Sequence, residues 1–184
     1  LDPATGKAVR FHHDEADPTS LGSDSVMTVY TDSQGQTWVG TWGGGLDLVQ
    51  RDGDRVTFVH NRHDAFDPSS LSADIIWTLY EDRSGILWAG TINGGLSKLN
   101  PEMQRFSLYR NHPDDPTSLG FDVIGSFYED PQGGLWVGTW GGGLNFFDRT
   151  TGKFTHYVND PADPASLIEN TVSGMFDDGR GHLW

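Results

Sequence analysis

The sequence contains no cysteine, so it has neither a disulfide framework nor a cysteine-based zinc site. Basic residues are also scarce: 12 lysines and arginines stand against 26 aspartates and glutamates, which gives a net charge of −14. Such an acidic chain repels a phosphate backbone, and we expect no nucleic-acid partner. No apolar run approaches the ~18 residues of a membrane span. We therefore expect membrane attachment only through segments outside this sequence.

Glycine and aromatic residues, by contrast, are abundant, and both recur at fixed positions. Four tryptophans, Trp38, Trp88, Trp136 and Trp184, are separated by 50, 48 and 48 residues. An aspartate precedes each tryptophan by six positions and a glycine by three, and an Asp-Pro-X-Ser-Leu segment ends 17 positions before it. An internal repeat of this length is typical of solenoids, propellers and arrays.

Each repeat holds four short segments of β-branched and aromatic residues, separated by turns. In the third copy we predict strands at 123–129, 134–139, 144–148 and 153–157. Gly133 and Gly152 supply the positive φ of the turns that join the first pair and the last pair of strands. The pattern predicts an all-β fold, a β-propeller built of four-stranded antiparallel blades.

The repeats divide the chain at 1–13, 14–63, 64–111, 112–159 and 160–184. Residues 1–13 match 147–159, so we interpret them as the tail of a preceding blade and 160–184 as a truncated blade. The prediction is a partial propeller of about four repeats, cut within a blade at both ends. The unpaired end strands at 7–11 and 172–176 could pair within one chain as a mixed blade, or between chains.

The Asp-Pro segments lie in the links between blades, where an aspartate followed by a proline predicts a helix start. We expect a single helical turn that places the link leucine, such as Leu167, in the core. In an antiparallel meander, the links and the loops between second and third strands share one face of the propeller. Those loops read Trp-Gly-Gly-Gly at 42–45 and 140–143, and Ile-Asn-Gly-Gly at 92–95. This face, here called the loop face, is where we expect a binding site.

Eight residues are candidate ligand contacts: Trp42, Trp140, Asn93, Trp77, Arg62, His63, Arg110 and His112. A tryptophan on a flexible glycine loop suits stacking against a sugar ring, but it can equally cover the neighbouring blade. Trp77, on the predicted innermost strand, either points into the central channel or packs there. The histidines and arginines either contact a ligand or are solvated loop residues.

No pattern predicts a catalytic residue, a metal ligand or a cofactor. The Asp-X-X-Gly turns lack the alternating acidic ligands of a calcium loop, and the histidines lack zinc-site spacing. The glycine runs lead into a strand and not into a helix N-terminus, so they do not form a phosphate loop. The separation of carboxylate pairs cannot be read from a sequence, which leaves a propeller hydrolase or lyase as an alternative.

The segments 26–46, 76–96 and 124–144 resemble the two-component regulator propeller repeat, with the second copy departing at Ile92-Asn93. That resemblance implies an extracytoplasmic, periplasmic or extracellular sensor of a bacterial hybrid two-component receptor or diguanylate cyclase. It also implies a small-molecule ligand, often one related to carbohydrates, and a membrane span and output domain outside these residues. The alternative is a scaffold whose acidic surface mediates protein contact or dimerisation.

Overall fold

A computed structural model describes residues 5–100 and 105–184 of the chain. Its twelve strands form three four-stranded antiparallel sheets, and the described ranges contain no helix. The strands are β1 (Val26–Thr31), β2 (Thr37–Thr41), β3 (Leu46–Asp52), β4 (Arg55–Asn61), β5 (Ile76–Glu81), β6 (Leu87–Thr91), β7 (Leu96–Asn100), β8 (Arg105–Tyr109), β9 (Ile124–Glu129), β10 (Leu135–Thr139), β11 (Leu144–Asp148) and β12 (Lys153–Tyr157).

Each sheet is a meander in which consecutive strands are hydrogen-bonded neighbours. The first strand of each sheet is innermost, since β5 contacts both β1 and β9. These features confirm the predicted partial β-propeller. In the third blade, β11 and β12 have the predicted bounds, while β9 and β10 begin one residue later than predicted.

Two of the four repeated tryptophans, Trp38 and Trp88, fill the space between neighbouring blades, whereas Trp136 is half-buried and Trp184 is 75% exposed. Trp38 of the first blade belongs to a buried cluster with Leu99 and Phe106 of the second. Trp88 of the second blade meets Phe147 of the third edge-on, with ring centroids 5.5 Å apart. Burying side chains of this size contributes about 1.5–3 kcal/mol each, so the blade interfaces are the cores of the fold.

The Asp-X-X-Gly turns have a second function that the sequence did not reveal. Asp32 accepts hydrogen bonds from Gln34 N and Gln36 N of its own turn, and its other oxygen accepts one from Trp38 Nε1 at 2.8 Å. Asp82 and Trp88 are bonded in the same way at 2.7 Å. The carboxylate therefore fixes both the turn and the core indole, which explains its place six residues before each tryptophan.

The links between blades contain two successive turns and not the predicted helical turn. In the first link, Asp17 N donates to Asp14 O and Ser20 N donates to Asp17 O. Asp17 does accept a cap-like hydrogen bond from Thr19 N, but Ser20 Oγ bonds to both the N–H and the carbonyl of Asp14. This serine closes the segment into a compact loop before a helix can start.

The prediction that the link leucine enters the core is right for Leu21, Leu71 and Leu119, which are buried. Leu167, in the fourth repeat, is only half-buried. The predicted end strands at 7–11 and 172–176 also differ from expectation, since neither belongs to a sheet. A strand requires a hydrogen-bonded neighbour; Phe176 instead exchanges two backbone hydrogen bonds with Trp184.

Candidate functional site

The loops on the loop face are held firmly, which corrects the expectation of flexible glycine loops. Trp42 N donates to Ser25 O at 2.8 Å, and Ser23 Oγ donates to Trp42 O at 3.0 Å. Gly43 N and Gly45 N both donate to Asp74 O, in the next link, at 3.0 Å. These bonds also confirm that loops and links share one face of the propeller.

The glycines are needed for backbone conformation and close approach. Gly43 and Gly45 have φ of 87° and 83°, while a Cβ on Gly44 would lie 2.5 Å from Gly22 O. In the second blade Asn93 takes the place of Gly43 with φ of 66°, a left-handed conformation that asparagine tolerates. The Ile-Asn loop of the second blade therefore keeps the backbone conformation of its neighbours.

Trp42 and Trp140 occupy equivalent loop positions but differ in exposure. The side chain of Trp42 is 49% exposed. Trp140 is half-buried, and its Nε1 is a buried nitrogen without a hydrogen-bond partner among the described residues. The two loops thus offer one accessible indole and one that is largely enclosed.

Trp77 lies near the start of the innermost strand β5 and packs against Trp140 of the next blade. The two rings meet edge-on with centroids 5.0 Å apart. Both side chains remain partly exposed, so the pair forms an aromatic wall on the loop face. Of the eight candidate residues, these two are brought into direct ring contact.

The two candidate arginines contact the loops. Arg62 Nε donates to Gly44 O at 3.3 Å, in the loop that carries Trp42. Arg110 Nε donates to Gly94 O at 3.2 Å, and its terminal nitrogen donates to Ser72 O at 2.6 Å. Arg62 is exposed and Arg110 is half-buried, so Arg62 has the more accessible guanidinium for a ligand.

The candidate histidines lie in the link region. His63 Nδ1 bonds to Leu71 O at 2.8 Å, and the N–H of His63 donates to Asp74 Oδ1. In the next blade Asn111 makes the equivalent bond to Leu119 O, which indicates that His63 stabilises its link. His112 is exposed, and its N–H donates to Ser118 Oγ within its own loop.

Sequence reasoning missed Phe121, which lies against the third loop. A Cβ on Gly141 would be 3.3 Å from the Phe121 ring, and the phenylalanine is 42% exposed. Its counterparts in the first two links are Ser23 and Ala73. The sequence did contain a signal for this contact, since the third repeat has a large apolar residue at a link position where the first two repeats have a small one.

Several carboxylates are engaged in contacts that stabilise the blades. Burial raises the pKa of Asp82, but hydrogen bonds from Arg149 and Trp88 outweigh that effect, so the pKa lies below its usual value. Arg149 also bonds Glu129, which accepts a further hydrogen bond from Arg83 N. Within the described residues, no three or more acidic or histidine side chains gather as a metal site.

Asp47, fully buried in β3, accepts hydrogen bonds from Gly22 N at 2.7 Å and from the His60 ring at 2.6 Å. The other ring nitrogen of His60 lies 3.0 Å from Pro18 O, in the first link. The third blade has Asn145 and His156 at these cross-strand positions, and the second has Ser97 and Leu108. This polar group ties each link to its blade.

The family comparison agrees with this geometry. The model of the two component regulator propeller matches residues 20–43, 70–93 and 118–141, once in each complete blade. Each match begins in a link and ends on the loop face. A comparison with curated proteins gave no match. In the described part of the chain, no helix has the length and apolar character needed to cross a membrane.

Sixteen chains of solved structures match this chain, among them two proteins of bacterial surfaces. One is the extracellular domain of BT3049 from B. thetaiotaomicron, described as a hybrid two component system; it is 31% identical with a TM-score of 0.74. The match covers 87% of this chain and 22% of that one. The other is PorZ, a surface component of the type-IX secretion system of Porphyromonas gingivalis, at 15% identity and a TM-score of 0.63. This match covers 86% of this chain and 24% of PorZ, and it shows a similarity of fold alone.

Proposed function

Since this chain carries three two-component regulator propeller repeats, we propose that it is a ligand-sensing segment of a bacterial signalling receptor. We place it on the periplasmic or extracellular side of the membrane, as in the extracellular domain of BT3049. The chain spans about a fifth of that solved domain. A membrane span and an output domain in other parts of the receptor belong to the same proposal.

The observation that carries the proposal is the exposed indole of Trp42 on a fixed backbone. The backbone N–H and the backbone carbonyl of Trp42 are both hydrogen-bonded. Little backbone conformational entropy is therefore lost when a ligand stacks on the ring. Asn93, Arg62 and the Trp77–Trp140 wall supply further polar and apolar groups on the same face. A flat apolar surface with hydroxyl groups at its edge, as in a sugar ring, fits this combination.

The ligand we propose is a neutral or cationic small molecule, because the chain has a net charge of −14. We propose binding and not catalysis. The buried carboxylates Asp47, Asp82 and Glu129 are held by hydrogen bonds from neighbouring blades, links and cations, which supports a structural function for them.

Calorimetry with a panel of neutral and amino-sugar oligosaccharides tests this function. We expect binding heat for at least one glycan, lost in Trp42→Ala and in the Trp42→Ala/Trp140→Ala double variant. Phe66→Ala is the matched control, because Phe66 is 96% exposed in a link and is not part of the site. Unchanged heat in Trp42→Ala, or equal loss in Phe66→Ala, would contradict the site.

A further inference from the structure

On the loop face, the link between the second and third blades runs between the loops of those two blades. Gly95 N of the second loop donates to Asp122 O at 2.9 Å. Trp140 N of the third loop donates to the next carbonyl, Val123 O, at 2.9 Å. We call this place, where the two loops meet the link, the second junction.

The link between the first and second blades forms an equivalent first junction. Gly45 N of the first loop donates to Asp74 O at 3.0 Å, and Ile92 N of the second loop donates to Ile75 O at 3.1 Å. All three blades that border the two junctions are complete four-stranded sheets. The junctions therefore have the same backbone frame and can be compared side chain by side chain.

Three corresponding positions distinguish the two junctions: one in the link, one on the innermost strand of the earlier blade and one in the loop of the later blade. At the first junction these are Ala73, Met27 and Ile92, and at the second they are Phe121, Trp77 and Trp140. All three side chains of the second junction are aromatic. Since the frame is the same, a need of the blade fold alone does not account for this difference.

The three aromatic side chains form a row from the innermost strand to the link. The Trp77 and Trp140 rings meet edge-on with centroids 5.0 Å apart, and a Cβ on Gly141 would lie 3.3 Å from the Phe121 ring. Phe121 is four residues before Gly125, on which the Trp140 indole rests. Four residues span at most about 13–14 Å, so the row is longer than one ring.

The row presents apolar surface beside a polar group. Trp140 Nε1 is buried, so the exposed part of that side chain consists of carbon atoms alone. Trp77 is partly exposed and Phe121 is 42% exposed. Asn93, in the loop on the other side of the link, is exposed. Flat apolar surfaces beside an amide suit a chain of rings that have apolar faces and hydroxyl edges.

We infer that the second junction binds a neutral oligosaccharide chain, with one sugar ring at the Trp77–Trp140 pair and a further ring at Phe121. This inference rests on the proposed function and extends it, because it names a chain of sugars as the ligand and adds a stacking position in the link. Asn93 is placed to bond a hydroxyl group of the chain.

The probes are neutral gluco-, manno-, galacto- and xylo-oligosaccharides, from disaccharides to hexasaccharides, and calorimetry measures their affinities. In at least one series we expect the affinity to rise with chain length. Phe121→Ala should lower the affinity for the hexasaccharide about tenfold, through loss of one stacking ring, and should change that for the disaccharide little. Trp77→Leu should lower both affinities.

Met27→Leu, at the corresponding position of the first junction, is the matched control for Trp77→Leu and should leave both affinities unchanged. Phe121→Tyr keeps the ring and should bind as the unmodified protein does. Should Trp77→Leu fail to fold, Phe121→Ala still decides, because it changes an exposed side chain. The inference is overturned if no probe binds, if affinity does not depend on chain length, or if Phe121→Ala binds the hexasaccharide normally.

Trp42→Ala separates this inference from the proposed site at the first blade. If Trp42→Ala abolishes binding while Phe121→Ala leaves the affinity for the hexasaccharide intact, the proposed function stands and the second junction is rejected. If Phe121→Ala and Trp77→Leu weaken binding and Trp42→Ala does not, the second junction stands and Trp42 is rejected as the stacking platform.

Discussion

The loops of the first and third blades have the same six residues, Thr-Trp-Gly-Gly-Gly-Leu, yet they present their tryptophans differently. The backbones are bonded alike: Gly43 N and Gly45 N donate to Asp74 O, and the equivalent amides of the third loop donate to Asn170 O. Trp42 is nevertheless 49% exposed, whereas Trp140 is half-buried against Gly125 and Trp77. Identical sequence therefore fixes the loop backbone but not the environment of its side chain.

The difference between the two loops shows where specificity can reside in a repeat protein. Residues that recur in every blade set the turns, the links and the blade interfaces, as Trp38 and Asp32 do. Residues that vary beside them, such as Trp77 and Gly125, change the surroundings of a loop tryptophan while the blade framework is kept. A repeat can thus diversify its binding face at a few positions while the fold is retained.

The largest expected effect comes from breaking the shared backbone of both loops. A Cβ at Gly44 would meet Gly22, and one at Gly142 would lie 2.5 Å from the carbonyl carbon of Gly120. We expect Gly44→Val and Gly142→Val to lower the free energy of unfolding by about 3 kcal/mol each, because both overpack a link against a loop. Urea denaturation measures this change.

Gly174→Val is the control for that prediction, since no atom lies within 4 Å of a Cβ at Gly174. It should change the free energy of unfolding only slightly. If one loop tolerated valine and the other did not, the backbones would not be equivalent, and the comparison between the loops would fail.

A smaller effect is expected where the second loop departs from the other two. Asn93 has φ of 66°, so Asn93→Ala should cost about 1 kcal/mol and Asn93→Gly should be close to neutral. The reciprocal change, Gly43→Asn, should cost only a few tenths of a kcal/mol, because a Cβ at Gly43 meets nothing within 4 Å. Thermal unfolding of the three variants would measure these changes in the free energy of unfolding. Equal losses of stability in Asn93→Ala and Asn93→Gly would argue against strain from a left-handed backbone conformation at residue 93.

Much of this fold could be predicted from the sequence, because the repeat gives the same answer several times. The apolar segments 144–148 and 153–157, separated by a turn that ends in Gly152, placed β11 and β12 correctly, and the shared phase of four tryptophans identified the blades. The prediction of a helical turn in the links was wrong, because proline after aspartate suits both a helix start and a turn. The hydrogen bonds of Ser20 Oγ to Asp14, six residues earlier, favour the turn.

The candidate site was less predictable, because its properties depend on contacts between blades. The sequence located Trp42, Trp77 and Trp140, but it could not show that two of them touch or that the loops are rigid. The structural contacts of His63 and Arg110 are with link and loop carbonyls, which a linear pattern does not reveal. Whether any of these residues contacts a ligand stays a prediction.

A hydrogen bond within each link, from the residue at its start to a side chain at its end, provides a finer comparison. Asp74 Oδ1 accepts the N–H of His63 at 2.6 Å, and Asn170 Oδ1 accepts that of Asn159 at the same distance. We expect Asp74→Asn to be nearly neutral, while Asp74→Ala loses about 1 kcal/mol with one hydrogen bond. Chemical denaturation distinguishes them, and a cost for Asp74→Asn as large as that for Asp74→Ala would show that the charge matters.

The smallest effect concerns the opposite ends of the blades, where turns meet the next blade. Ser33 N and Arg83 N donate to Glu81 and Glu129, but Pro131, in the third turn, has no N–H to donate. There the Tyr128 hydroxyl donates to Asp177 at 2.6 Å. This hydrogen bond raises the pKa of Tyr128 to about 12 and lowers the pKa of Asp177.

The pH dependence of that contact follows from the direction of each shift. The raised pKa of Tyr128 contributes stability that is complete below about pH 10 and is lost as the pH rises through about 12. The lowered pKa of Asp177 contributes stability that is present above its usual value of 3.8 and is lost as the pH falls below it. The difference in phenolate absorbance between the protein and Tyr128→Phe should show one phenol titrating near pH 12. Asp177→Asn should return that midpoint towards 10; a Tyr128 midpoint already near 10 in the unmodified protein would mean that the hydrogen bond across the third and fourth repeats does not form in solution.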